Sequence, residues 1–462
     1  MTTSATSAHS PPELEPLLKK RLIRLVALIL IFSVMNGTMF NVAIPDIADH
    51  FNLLPSQVSW VMTGYIMVNA VGALMYGKLA DIFPIRSILT FGISMFALGA
   101  LLGFLSPSYG FLLASRILQA IGGATIPALA FIIPTRFFPN ERGKVFGIIS
   151  STIAFASGIG PIAGGLIAGI LDWRYLFLFS VASVFAIPFF RKWMPAEEKR
   201  EGKIDYLGAL LFSIAIASFL AFVTTLMMWL IPVASLSFVL FILRIVKAED
   251  PFIRPEMLKN RAYTITILTS FLGTSVLFGL IFVIPIMLRD LYDLSTLAIG
   301  FVLFPGAMIA GILGRSGGEL VDKIGGEKVV VLALVLIGSG TILLSTFAGF
   351  APWIIAVCLV ISYIGFPLIQ SSTANILSAI LPAKQTGVGI GLFNLLNFVA
   401  GAFSSASFGA ILDIQDTGIV LNPFALQGEN AIFSNLFLGL TVLSFLALLL
   451  FSMTFKKHSS AD

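Results

Sequence analysis

The sequence predicts an all-α polytopic membrane protein, and three observations carry that prediction. Of its 462 residues, 58% are hydrophobic and only 11% charged, where soluble domains carry about 25% charged residues; the mean hydropathy is +1.00. Apolar runs of about 20 residues, the length that crosses a hydrocarbon layer as a helix, recur fourteen times. The cations are also segregated. Of 28 Lys and Arg, 25 fall in alternate loops and the two tails, which leaves Arg174 and Arg289 on the other side and Arg116 inside a span. By the positive-inside rule those loops and both termini are cytoplasmic, and termini on one side require an even number of spans. The net charge of +5 follows from this topology and calls for no nucleic-acid partner. A single cysteine, Cys358, excludes an internal disulfide framework and a cysteine-rich metal site.

In order along the chain, residues 1–22 read as a cytoplasmic tail. Its polar, proline-containing start has no apolar core, so no cleaved signal peptide is expected. Spans at 23–42, 57–77, 87–105, 111–133, 144–170 and 174–191 make a first group over 23–191. Residues 192–260 hold charged cytoplasmic loops around a tight apolar pair, 206–226 and 228–247. Spans at 261–287, 297–315, 328–348, 352–378, 386–412 and 433–455 make a second group over 261–455, and 456–462 form the last tail.

An internal repeat ties the two groups together. Gly77-Lys78-Leu79-Ala80-Asp81 follows the second span and Gly318-Glu319-Leu320-Val321-Asp322 the tenth, both as Gly-x-Leu-x-Asp and both in expected cytoplasmic loops. Two six-helix halves related as a parallel repeat, with a hairpin inserted between them, explain the match.

The fifth span is interrupted by Gly158, Gly160, Pro161, Gly164 and Gly165. In water each glycine would cost a helix about 1 kcal/mol against alanine and an interior proline about 3. In a bilayer bare backbone lets helices approach closely, and neighbours cover a kink. The run is read as a bent helix at a sliding interface, with a generic small-residue packing face as the alternative.

Gly158-x-Gly160-Pro161-x-x-Gly164-Gly165, followed by Trp173-Arg174-Tyr175-Leu176-Phe177, resembles the antiporter motif of major facilitator superfamily exporters. Gly77 to Arg86 resembles that superfamily's loop signature, Asn36-Gly37-Thr38-Met39-Phe40-Asn41 the first-helix signature of its fourteen-span drug:proton antiporters, and Arg116-Ile117-Leu118-Gln119-Ala120-Ile121-Gly122-Gly123 their membrane-embedded arginine motif. The resemblance covers the whole chain and is closest to tetracycline/metal:proton antiporters of Gram-positive bacteria. It implies a major facilitator fold with fourteen spans. It also implies a conformational gate at Gly77, Asp81, Gly158, Gly160, Pro161, Gly164, Gly165, Gly318 and Asp322. Within it Asp81 would accept hydrogen bonds from a helix N-terminus, with Arg86 as its cationic partner.

Arg116 is costly inside a span, about 2.5–3.5 kcal/mol on insertion scales, so it faces protein or a wet cavity. Either it lines the pathway, with Gln119 on the same face three residues on, or it hydrogen-bonds carbonyls of an adjacent unwound helix or snorkels from nearer a helix end. All 23 Asp and Glu fall in loops, tails or helix ends. The places where the resembled family carries acids are taken by Asn36 and Gly37, by Ser157 and by Gly401. Uncharged polar groups remain to hydrogen-bond a substrate or bridge helices: Asn36, Thr38, Asn41, Asn69, Ser157, Gln370, Asn394 and Asn397. Asp46, Asp49, Asp172, Asp290, Asp293, Asp413, Asp416 and Glu429 make an acidic outer rim.

The expected function is secondary active efflux of small amphipathic drugs, tetracycline-like or multidrug, by alternating access with protons or other cations as coupling ions. A dedicated exporter of a neutral or anionic metabolite, lipid or peptide is the alternative. No nucleophile, metal-ligand set, buried acid/base pair or ATP-binding signature suggests an enzyme, so no catalytic residue, metal or cofactor is expected. A monomer in the cell membrane, in contact with lipid and a small-molecule substrate, completes the expectation.

Overall fold

The computed structural model describes residues 15–53, 55–58, 60–200, 205–225, 227–248, 251–294, 296–382, 385–412, 419–426 and 431–455. Every regular element among them is helical. The long helices are α1 (Pro16–Phe51), α2 (Trp60–Ile82), α3 (Ile85–Phe104), α4 (Tyr109–Phe137), α5 (Arg142–Ile170), α6 (Tyr175–Trp193), α7 (Tyr206–Thr225), α8 (Leu230–Lys247), α9 (Arg261–Tyr292), α10 (Thr296–Ile324), α11 (Gly326–Thr346), α12 (Pro352–Ile380), α13 (Thr386–Leu412) and α14 (Ala431–Phe455). Among the described residues thirteen helices are long and apolar enough to cross a membrane. The helix outside that count is α2, whose 23 residues include Asn69, Lys78 and Asp81.

Local chemistry sets the helix ends. Pro16 opens α1 where no intrahelical donor is needed, and Asn52 in the left-handed region (φ 52°) closes it by donating to Ala48 and Asp49 carbonyls. Ser108 caps α4 by accepting from Phe111 N, and Gly325 at φ 88° supplies the turn before α11. Large apolar side chains such as Leu105, Ile170, Phe185 and Trp353 point outward, the expected surface for a body solvated by lipid rather than water.

The first six helices and α9–α14 form two bundles, which meet along α5–α10 and α2–α13. Close crossings are made of bare backbone. Side chains at Gly99 and Gly122 would collide with backbone of the facing helix in the α3–α4 pair. The inserted hairpin pairs α7 with α8 through Phe212 and Phe241, ring centroids 4.9 Å apart, and through Arg244 Nε to Asp205 Oδ1 at 3.1 Å. Its α7 rests on α2 and α13.

The helices overrun the apolar runs. Helix α1 extends to residue 51, so Asp46 and Asp49 belong to its last turns rather than to an outer loop, and α9 likewise contains Asp290. Both copies of Gly-x-Leu-x-Asp are helical, at the ends of α2 and α10, and not in loops as expected. An apolar-run count stops at the first charge, whereas the backbone keeps its helical hydrogen bonds past it. Helix α5 is continuous through Pro161. Asp413, Asp416, Glu429 and the 456–462 tail lie outside the described residues.

Candidate functional site

Arg116 lies in the N-terminal part of α4 and is 1% exposed. Its Nη1 donates to Asn36 Oδ1 at 3.0 Å and Gln119 Oε1 at 2.7 Å, and its Nε to the Val61 carbonyl at 3.3 Å. The guanidinium carbon lies 4.1 Å from the ring centroids of both Phe40 and Tyr65, so the cation is held between two π faces. Nη2 reaches only the Met62 sulfur, 3.9 Å away, a weak acceptor. Among the described residues no carboxylate forms an ion pair with it. Its charge is therefore solvated by neutral groups and left uncompensated.

Asn36 fixes this arrangement from α1 by donating to Ser180 Oγ of α6 at 2.7 Å. A chain Ser180–Asn36–Arg116–Gln119 thus crosses three helices, and Gln119 Nε2 at its end is buried without a partner among the described residues. The structure brings together Asn36, Arg116 and Gln119 of the expected pathway residues. It does not bring in Asn69, which donates to the Tyr65 carbonyl in its own helix, or Thr38, whose hydroxyl bonds the Val34 and Met35 carbonyls. Phe40 and Ser180 were not anticipated. Phe40 carried a signal, being four residues after Asn36 and so on its face; Ser180 carried none.

A second polar cluster lies in the other bundle. Gln370 donates to Thr274 Oγ1 at 3.0 Å and accepts from Asn397 Nδ2 at 3.1 Å, while Asn397 Oδ1 accepts from Thr274 and Ser270. The four-residue step from Ser270 to Thr274 puts both on one face of α9. Asn394 is buried, and its Nδ2 has no partner among the described residues. Ser157 is half-buried on α5, and the Asn41 side chain lies outside the described ones.

The two repeat copies make matching bridges between the halves. Asp81 of α2 accepts from Gly387 N at 2.8 Å and Val388 N at 3.1 Å in the first turn of α13. Asp322 of α10 accepts from Gly143 N at 2.8 Å and Lys144 N at 2.7 Å in the first turn of α5. Each carboxylate meets the positive end of a helix dipole in the opposite half. Side chains at Gly77 or Gly318 would strike the carbonyls of Gly387 or Gly143. The pair differs in one respect: Asp81 is 8% exposed and Asp322 is exposed.

The cation beside Asp81 is Arg136, 3.7 Å away, and not Arg86. Arg136 comes from the end of α4, also bonds the Ala80 carbonyl, and pairs with Glu197 at 3.2 Å. Glu197 in turn accepts from Ile85 N at the start of α3. Arg86 is half-buried on that first turn of α3, whereas the helix end of α4 delivers its last-turn arginine directly under Asp81.

In α5 the glycines serve two faces. A β-carbon on Gly158 would strike Ala307 of α10 in the other half, whereas on Gly160 it would strike Thr38, and on Gly164 Met39, both of α1. Pro161 lies between these contacts and Gly165 is half-buried. Gly160→Ala should lower thermal stability and transport together, and Thr38→Ala in the same protein should restore part of both, because Thr38 Oγ1 is the first atom struck. Absence of rescue in the double variant would separate the loss from this contact.

Two helical bundles joined by bridges at one end, with buried polar clusters beside the seam, define a membrane transporter. A sequence model described as Major Facilitator Superfamily matches residues 26–405, and the chain belongs to that family. It is 28% identical over 394 residues to the riboflavin transporter RibZ of Clostridioides difficile (strain 630), covering 82% of this chain and 85% of the relative. It is 27% identical over 400 residues to the lincomycin resistance protein LmrB of Bacillus subtilis (strain 168), covering 81% of each. The fold is similar to that of the human organic anion transporter MFSD10 (TETRAN), with a TM-score of 0.68 and 16% identity over 94% of this chain and 100% of that one.

Proposed function

We propose that this transporter is a secondary active exporter that moves small amphipathic drugs from the cytoplasm or inner leaflet to the outside by rocking of its two halves. The observation that carries the reading is Arg116, buried and hydrogen-bonded only to uncharged groups. A site of that charge favours neutral or anionic compounds and disfavours lipophilic cations or metal-chelated tetracycline. The likeness to a lincomycin resistance protein supports drug efflux. The likeness to a riboflavin transporter supports the second reading, a dedicated exporter of one neutral or anionic metabolite.

Fourteen spans with α2 among them, cytoplasmic termini, a monomer and proton or other cation coupling complete the proposal. The bridged end is then cytoplasmic and this arrangement faces outward. Coupling would use helix-end acids such as Asp81 or Asp46. The test is flux into inverted proteoliposomes under an imposed pH gradient, against cationic, neutral and anionic compounds. Accumulation of neutral or anionic compounds that a protonophore abolishes is expected. Transport of cations alone would overturn the charge assignment, and indifference to the protonophore would remove proton coupling.

A further inference from the structure

A groove of about 860 Å³ runs between α2, α3, α4 and α7 of the inserted hairpin, with Tyr65 and Arg116 among the residues that line it. Its floor follows α2 from Trp60 to Phe83, a length close to the roughly 30 Å hydrocarbon thickness. Phe91, Ile117, Ile121 and Ile214 form its walls, and each is more than a third exposed. At Gly64 a β-carbon would meet nothing within 4 Å, so the groove reaches the helix backbone there. A long, apolar channel open to the bilayer along its side matches a hydrocarbon chain in shape and chemistry.

One end of the groove is different. Phe83 and Ser87 line it at the bridged end of α2 and α3. The exposed Lys199 places its Nζ 5.1 Å from the Phe83 ring centroid, and Arg86 adjoins Ser87 in the first turn of α3. Glu197, two residues before Lys199, is taken up by Arg136 and by Ile85 N. Lys199 therefore stands over this end, with Arg86 next in sequence to Ser87 and exposed Glu198 beside Lys199, and a cation near lipid headgroups favours an anionic lipid.

We propose that this groove is a binding site for an anionic phospholipid, with one acyl chain along α2 behind α7 and the phosphate at Lys199 and Arg86. Such a lipid would fasten the inserted hairpin to the first half.

The test uses the full chain in detergent with a phosphatidylglycerol that carries a photoactivatable group on its acyl chain. Crosslinks should map to α2 and α7, and excess phosphatidylglycerol should compete them away while phosphatidylcholine does not. Lys199→Gln and Arg86→Gln should each weaken that competition about fivefold. Gly64→Phe, whose β-carbon would meet nothing within 4 Å, puts a ring into the groove and should remove the α2 crosslinks. Crosslinks scattered around the perimeter, or equal competition by both lipids, would overturn the site. Competition by a transported drug but not by phosphatidylglycerol would assign the groove to substrate instead.

Discussion

Arg116→Ala is expected to abolish transport, and Arg116→Lys to keep part of it. Truncation leaves the Asn36 and Gln119 carbonyl oxygens buried without their donor, and hydrogen bonds to a charged group are worth about 1.5–3 kcal/mol each. It also removes the charge that Phe40 and Tyr65 hold between them. A lysine ammonium restores the charge but cannot stack as a plane or reach as many acceptors. The measurement is the initial flux in proteoliposomes, normalised to the folded fraction from thermal unfolding. Parent-like flux from Arg116→Ala would reduce the residue to a helix-bridging role. A folded Arg116→Ala with no flux, and an Arg116→Lys with some, would place its charge in the transport path.

Asp81→Asn is expected to shift the halves away from the bridged arrangement, and to do so more than Asp322→Asn. In either variant one of two oxygens that accept backbone N–H groups becomes an amide donor, and an unmade buried hydrogen bond costs about 1–3 kcal/mol, about 5- to 150-fold in the conformational equilibrium. The penalty is fuller at Asp81, which is buried beside Arg136; water can replace the lost bond at exposed Asp322. Spin-label distances between the ends of α2 and α13 would measure the shift, and the single native cysteine, Cys358, makes a cysteine-free background one substitution away. Equal shifts from the two variants would contradict the role given to burial.

The sequence made the architecture legible because hydropathy and cation placement report directly on the bilayer. The repeat was legible as well, since Gly77 and Asp81 recur as Gly318 and Asp322. What the repeat contacts was not. Gly387 and Gly143, the partners of those copies, carry no motif that singles them out, because a backbone N–H is offered by every residue except proline. Arg136 was overlooked for Arg86 for the same reason: proximity in sequence stood in for the end of a helix arriving from elsewhere. At the polar site, Arg116 and Asn36 were visible as types that are expensive in lipid. Tyr65 was hidden among 42 Phe and 8 Tyr, most of which serve packing.

The crossings at the bridged end are reciprocal: Gly77 and Gly387 each present a carbonyl where the other's β-carbon would be, and Gly318 and Gly143 do the same. A larger residue on one helix cannot be offset by a smaller one opposite, since nothing is smaller than what is already there. Directed evolution toward new cargo should therefore find these four positions closed and gather its successful changes elsewhere. A cysteine pair engineered beside either crossing would meet an unusually narrow gap, giving a redox handle with which to freeze the machine in one half of its cycle.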